Sequence, residues 1–508
     1  MITPNLIAYA ALFGWPLVVI FLFRTRPIQE ALIWSLLGGL LLLPSALEVK
    51  IPMVPAFDKT SVPNLTALFM CILIVRSQAA KLRGPQRSKP VVAGAPTSRR
   101  VTKKTNEEVV PQKFKDPMIF KILVAILMIS PVFTALNNTD PIVIGPRFIP
   151  GLRLYDAVSI LIGLVTMIAP FFLAKRFLAT PESHALLLKA LCFAGLAYSL
   201  PMLFESRMSP QLHTWLYGYF PHSFAQHVRA DGYRPVVFFR HGLLLGMFIA
   251  MTVIAAIALW RHEKGNPKTY LWFLAAIWMS IILVFAKSLG PLTLTLLIAP
   301  AVIFATIRFQ IVLAAVIAAV ILIYPAMRGA GWVPIDTIYN LALSVSEDRA
   351  QSLKFRLDNE EILLERANER PLTGWGSWGR PEIHDPYTGE TTSTWDGAWI
   401  IFIASFGWLG YLARFGLLAM PLLLLGFKRR RLGLSQATSG LALILAFNLI
   451  DLIPNASLTP IIFLISGALM GRYSYVPEAV EEEEPEAVPE KPALKVRKPR
   501  TARSYNEV

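Results

Sequence analysis

Apolar runs of nearly bilayer length recur along almost the whole of this chain. An α-helix rises about 1.5 Å per residue, so roughly 20 apolar residues cross a hydrocarbon core of about 30 Å. Such runs can be read near residues 5 to 23, 28 to 44, 64 to 80, 117 to 135, 154 to 173, 185 to 204, 236 to 259, 270 to 286, 291 to 307, 309 to 326, 398 to 427, 435 to 453 and 457 to 473. With 55% hydrophobic and 16% charged residues over 508 positions, the chain is not an ordinary soluble domain. The expected fold class is all-α, a polytopic transmembrane helical bundle of about 12 to 13 spans.

The net charge of +16 would suggest a nucleic-acid partner in a soluble protein. Here the Lys and Arg residues gather in particular segments between apolar runs, so topology explains them better, and no nucleic acid is expected. If the spans alternate, one side carries Arg24 and Arg26, Lys175 and Arg176, Arg261 with Lys264 and Lys268, Arg308, and the run Lys428 to Arg431. It also carries RSQAAKLRGPQRSKP and SRRVTKKTNEE, a basic stretch with few apolar anchors that should be cytoplasmic and poorly ordered. This places the N-terminus outside, a proline-rich polar tail from Pro477 inside, and the stretch from Tyr339 to Trp399 outside. MITPN lacks a basic n-region, so the first helix is expected to stay as an anchor. Cys71 and Cys192 lie inside apolar runs, which argues against both a disulfide and a metal role.

The organisation expected is N-terminal transmembrane helices over 1–75, a basic cytoplasmic loop over 76–116, and central helices over 117–338. A large extracytoplasmic loop follows over 339–397, then C-terminal helices over 398–473 and a tail over 474–508. The two halves do not repeat in hydropathy, which counts against a secondary transporter. FGWLG at 406 to 410 is expected to break or tilt the long run that contains it.

The large loop is chemically the richest part of the chain. It opens on SEDRAQSLKFRLDNEEILLERANER, where Leu353, Leu357 and Leu364 are spaced for one buried helical stripe, and Arg349 and Arg356 share a face. It closes on PLTGWGSWGRPEIHDPYTGETTSTWDGAW, where Trp375, Trp378, Trp395 and Trp399 sit among Gly, Ser and Thr. That composition suits stacking on sugar faces, and equally suits a membrane interface. Arg229, Arg234, Arg240 and His241 approach the membrane together after the sixth run, and Arg forks match phosphate oxygens bidentately. Lys287 lies in the short turn KSLG. Arg414 and Asp451 fall within later runs, where intramembrane charge marks a functional site or a structural ion pair across the bundle. His241, His384 and Asp396 are the candidate general bases. No His and Cys spacing resembles a zinc site, and neither a nucleophile elbow nor a Gly-rich nucleotide loop appears, so no metal and no cofactor are expected.

RADGYRPVVFFRHGLLLGMF, KSLGPLTLTLL, RAQSLKFRLDNEEILLERANERPLTGWGSWGR and WDGAWIIFIASFGWLGYLARFGLLAMPLLLL follow one another over roughly 150 to 470. Their order resembles the O-antigen ligase and polysaccharide polymerase superfamily of bacterial inner membranes. Where the family's ligases carry a His near the re-entry helix and an Arg in the short turn, this chain has Asp396 or Gly397, and Leu289 beside Lys287. The difference points to an exopolysaccharide polymerase-like member, or to a divergent one with another acceptor. The resemblance implies metal-independent glycosyl transfer from a polyprenyl-pyrophosphate-linked glycan to a sugar hydroxyl on the periplasmic side, among membrane lipids and other polysaccharide-assembly proteins. It implies Arg234, Arg240 and Lys287 at the pyrophosphate, Arg356 on the loop side, Asp396 or His241 as base, and Trp375 and Trp378 at the sugars. A lipid-linked oligosaccharide flippase and a non-catalytic assembly scaffold stay open as alternatives.

Overall fold

The computed structural model describes residues 3–51, 56–83, 113–229 and 232–476. The basic stretch between the third and fourth apolar runs and the tail from Pro477 lie almost wholly outside the described residues, as does the side chain of Arg349.

Each apolar run folds as a helix. In chain order these are α1 (Leu6–Thr25), α2 (Ile28–Leu42), α3 (Ser61–Arg83), α4 (Met118–Leu136), α5 (Leu154–Phe177) and α6 (Pro181–Met208). A short α7 (Leu212–Tyr217) precedes α8 (Gly242–His262), α9 (Tyr270–Phe285), α10 (Leu289–Phe304) and α11 (Ile307–Gly329). The large loop contributes α12 (Ile335–Val345) and α13 (Glu347–Asn368), after which α14 (Ala398–Lys428), α15 (Gln436–Asp451) and α16 (Pro460–Ser474) return to the bundle. Seven of them, α1, α4, α5, α6, α8, α11 and α14, are long and apolar enough to cross a membrane, and α2, α9, α10, α15 and the apolar part of α3 are shorter apolar helices. The centre of the bundle is α8, α15 and α16, whose side chains are nearly all buried, while α1, α4 and α11 show much of their apolar surface outward. Outward apolar side chains are what a helix facing lipid requires.

The extended segments are short. Lys113–Phe114 (β1) pairs antiparallel with Tyr475–Val476 (β6), Ile142–Ile144 (β2) with Arg147–Ile149 (β3), and Val228–Arg229 (β4) with Gly232–Tyr233 (β5).

Contacts between connections sort them to two ends. At one end the Asn5 amide donates to the Tyr217 carbonyl (3.0 Å), and the Ser45 amide donates to Nε2 of His213 (3.1 Å). At the other, Lys175 pairs with Asp116 (2.8 Å), the Lys115 amide donates to the Ser474 carbonyl (2.9 Å), and Arg261 donates to the Ala305 carbonyl (2.7 Å). Gly440, early in α15, lies against Ala258, late in α8, so these helices run antiparallel and Asp451 and His241 come to the same end. The connections holding Lys175, Arg261, Arg308 and the run from Lys428 thus share one end, and the Glu205 to His241 segment and the large loop share the other.

α14 is the irregular helix. Gly407 is non-helical within it (φ 62°, ψ −168°), inside the FGWLG stretch expected to break it. The break is filled by PLTGWG. Trp375 and Gly376 amides donate to the carbonyls of Ala404 and Ser405 (both 2.8 Å), and the Trp408 amide donates back to the Pro371 carbonyl (2.7 Å). Backbone groups freed by the break are therefore satisfied by loop backbone rather than left bare, as burial demands. A Cβ on Gly407 would collide with the Leu372 carbonyl, and one on Gly374 with the backbone of residues 405–407. The two glycines allow the close approach of the turn to the helix.

Candidate functional site

Two groups of charged and polar residues are built at the end that carries the large loop. The first surrounds the start of α8. Glu205, buried near the end of α6, accepts the amides of Leu212 (3.0 Å), Val236 (2.8 Å) and Val237 (2.7 Å), and so fixes the path of the segment leading into α8. Arg234, buried on that segment, donates from Nε (3.3 Å) and Nη2 (3.1 Å) to the carbonyl of Lys287, which itself has a left-handed backbone (φ 48°) in the turn before α10. Gly242 lets the first turn of α8 approach the Arg234 stem, and Gly246 does the same for Ser288. Arg234 and Lys287 are therefore brought together. Arg240 is exposed just before α8 and forms no hydrogen bond or ion pair among the described residues.

Three histidines gather beside this group. The ligating nitrogens available on His222, His227 and His241 all lie within 4.8 Å of one another. His241 caps α8, its Nδ1 accepting the Leu243 amide (3.1 Å), and its ring stacks edge-on to His222 (5.0 Å) and tilts to His227 (4.8 Å). His227 is fully buried with no partner on either ring nitrogen among the described residues. Each unmade hydrogen bond on a buried polar atom costs on the order of 1–3 kcal/mol. Burial first, and then Arg234, Arg229 and the neighbouring imidazoles, push His227 down to about 4 and His241 down to about 3. His241 is thus held neutral and is a weak base near neutral pH.

The second group joins α11, α13, α14 and the turn after α15. Nε of Arg356 lies 3.5 Å from Oδ2 of Asp396, and its Nη1 donates to the Pro454 carbonyl and to Oδ1 of Asn455 (both 3.3 Å). Asn455 Nδ2 donates in turn to Asp451 (2.8 Å), whose other oxygen accepts the Ser457 hydroxyl. The Ala398 amide donates to the carbonyls of Leu452 (3.0 Å) and Asn455 (3.2 Å), pinning the start of α14 to this turn. Behind the pair lies Glu360, buried on α13, with Oε1 accepting Nε1 of the fully buried Trp399 (3.3 Å). Burial pushes the Glu360 carboxyl up to about 7 and Asp396 adds to the rise, against the pull of the Trp399 N–H, Arg328 and Arg356. Arg328, from α11, pairs with Glu361 (3.6 Å) and donates to the Leu357 carbonyl (3.2 Å).

Asp396 and Arg356 thus stand together, one at the start of the return into the bundle and one on the loop helix. The two tryptophans diverge. Trp375 is buried, its Nε1 donates to the Arg366 carbonyl (2.8 Å), and the guanidinium carbons of Arg366 and Arg370 lie 3.4 and 4.1 Å from its ring centroid. That ring is a packing and cation–π anchor for the loop rather than an open sugar platform. Trp378 is 55% exposed on a left-handed backbone (φ 59°) and presents a free ring surface. His384 is spent on the loop, bonded to the Gly379 carbonyl (3.2 Å) and the Thr391 hydroxyl (3.3 Å).

Arg414 and Asp451 do not pair. Arg414 lies 3.8 Å from the Phe406 ring centroid and 4.7 Å from that of Phe402, while Asp451 is satisfied by Asn455 and Ser457.

The sequence reading passed over Glu360 and the histidine group. Glu360 sits in a run of charged residues that reads as a solvated helix face, and only packing against Trp399 reveals its burial. The histidine group had a signal, since four of the chain's seven histidines fall between His213 and His241.

Fold and hydropathy define the class as a multi-pass, polytopic helical membrane protein. Neither a family model, a curated protein nor a solved structure matches the chain.

Proposed function

We propose that this protein is a glycosyltransferase of the O-antigen ligase and polysaccharide polymerase type, acting at the periplasmic face of the bacterial inner membrane in exopolysaccharide or O-antigen assembly. Its donor is a polyprenyl-pyrophosphate-linked glycan and its acceptor a sugar hydroxyl. The observation that carries the reading is the placement of an Arg234 and Lys287 group and an Arg356 and Asp396 group at one end of a membrane bundle.

In this reading Arg234, Arg240 and Lys287 receive the pyrophosphate, whose developing charge in the transition state needs positive groups more than it needs an acid. The acceptor oxygen bonds to the anomeric carbon, the bond from that carbon to the pyrophosphate oxygen breaks, and polyprenyl pyrophosphate leaves. The hydroxyl proton passes to Asp396, oriented by Arg356. Glu360, with a carboxyl titrating near neutrality beside this pair, is a further proton-holding group. His241 is not given the base role, since Nδ1 holds the helix cap and the ring is a weak base. Trp378 offers the sugar-stacking face.

The glycan profile of a deletion strain tests the proposal. Accumulated single repeats on lipid support a polymerase, and polymer lacking its final acceptor supports a ligase. A wild-type profile contradicts both. Lipid-linked glycan confined to the cytoplasmic leaflet would assign a flippase instead.

A further inference from the structure

The group formed by His222, His227 and His241 is distinct from the acidic pair at Asp396, and the glycosyl-transfer reading gives it no role. We propose that these three imidazoles bind one divalent transition-metal ion of the zinc type, with a fourth position open to water or an oxyanion.

Three observations carry this. Three histidine nitrogens lie within 4.8 Å of one another. Tetrahedral ligation at Zn–N distances of about 2.0–2.1 Å sets nitrogens about 3.3 Å apart, so a modest contraction completes the site. His222 is exposed on the loop after α7 and supplies that movement by side-chain rotation, while His227 and His241 are held by their surroundings. Second, the buried His227 has no partner on either ring nitrogen among the described residues. Buried polar atoms without partners are rare in folded proteins, and an ion ligated by one nitrogen supplies the missing partner. Third, the donor set is all imidazole, which selects zinc and its first-row neighbours over calcium or magnesium.

Two features shape the site. Binding through Nε2 of His241 moves that ring's proton to Nδ1 and releases the Leu243 amide it now caps, so metal loading alters the first turn of α8. Arg229 and Arg234 add positive charge around His227 and His241, which favours an anionic fourth ligand such as hydroxide or a phosphate oxygen. Proton transfer from bound water to solvent accounts for the hydroxide.

The test uses the full chain in detergent, stripped with a chelator and titrated with zinc chloride by calorimetry and with cobalt(II) chloride by visible absorption. The expected result is one ion per chain and the intense d–d bands of four-coordinate cobalt. His222→Ala removes an exposed ligand without disturbing packing, so its apo form should unfold at the wild-type temperature. It should bind zinc at least about tenfold more weakly, since even partners that only support a ligand cost tenfold to a hundredfold. His227→Gln should lose the cobalt bands as well. No uptake by the wild-type chain overturns the proposal, and so does uptake that His222→Ala leaves unchanged.

Discussion

Glu360→Gln separates a buried carboxyl from an ordinary surface acid by its effect on the pH dependence of stability. Burial raises the Glu360 carboxyl from 4.5 to about 7. Each unit corresponds to about 1.4 kcal/mol, so the shift amounts to about 3 kcal/mol. Because the folded state disfavours the ionised form, the contribution to stability is fully present below pH of about 4.5 and is lost as pH rises through about 7. The side chain is only 5% exposed, which keeps solvent screening small. Gln keeps an oxygen for the Trp399 N–H but cannot ionise, so any cost of its amide is the same at every pH. Thermal unfolding of both proteins in detergent at pH 5 and pH 8 should show the wild type losing stability between these values relative to the variant, by about 2.5 kcal/mol. Parallel pH dependence in the two proteins would refute the buried, near-neutral carboxyl.

Gly407→Ala should lower thermal stability and folded yield sharply, because a Cβ meets the Leu372 carbonyl and φ is +62°. Strain alone is worth about 1–3 kcal/mol, and a wild-type unfolding temperature would contradict the role of that close approach. Trp375→Ala should cost about 3–5 kcal/mol of stability through loss of a buried aromatic ring, whereas Trp378→Ala should leave unfolding unchanged and weaken glycan binding. A reversed order in calorimetry would sink that division of labour. Arg240→Ala should retain wild-type stability, since the side chain is exposed, while binding of lipid-linked donor falls roughly tenfold to a hundredfold for loss of a charge-assisted phosphate contact of about 1.5–3 kcal/mol. Undiminished donor binding would remove Arg240 from the proposed pyrophosphate site.

Hydropathy made the helices legible because lipid imposes one requirement on every apolar run: to satisfy its backbone internally. Gly407 was legible for a related reason, since an FGWLG stretch in an overlong run is where a helix gives way. The partner of that break was not, because PLTGWG reaches α14 from a distant stretch through backbone hydrogen bonds that carry no side-chain signature. The two- and three-residue strands were invisible on the same grounds. Arg356 and Asp396 could be brought together by topology alone, one on the loop and one at its end. Pairing Arg414 with Asp451 by the same reasoning failed, because Asn455 and Ser457 satisfy Asp451 from the adjacent turn and two phenylalanine rings take the guanidinium. Intramembrane charges find local partners that hydropathy does not rank.

Reconstitution gives the most direct test of glycosyl transfer. The purified chain, in liposomes with a polyprenyl-pyrophosphate-linked repeat and an acceptor glycan, should produce extended glycan and free polyprenyl pyrophosphate. Asp396→Asn should slow this by about a hundredfold or more while donor binding persists. Donor that changes leaflet without being consumed, or transfer at the wild-type rate by Asp396→Asn, would contradict the account.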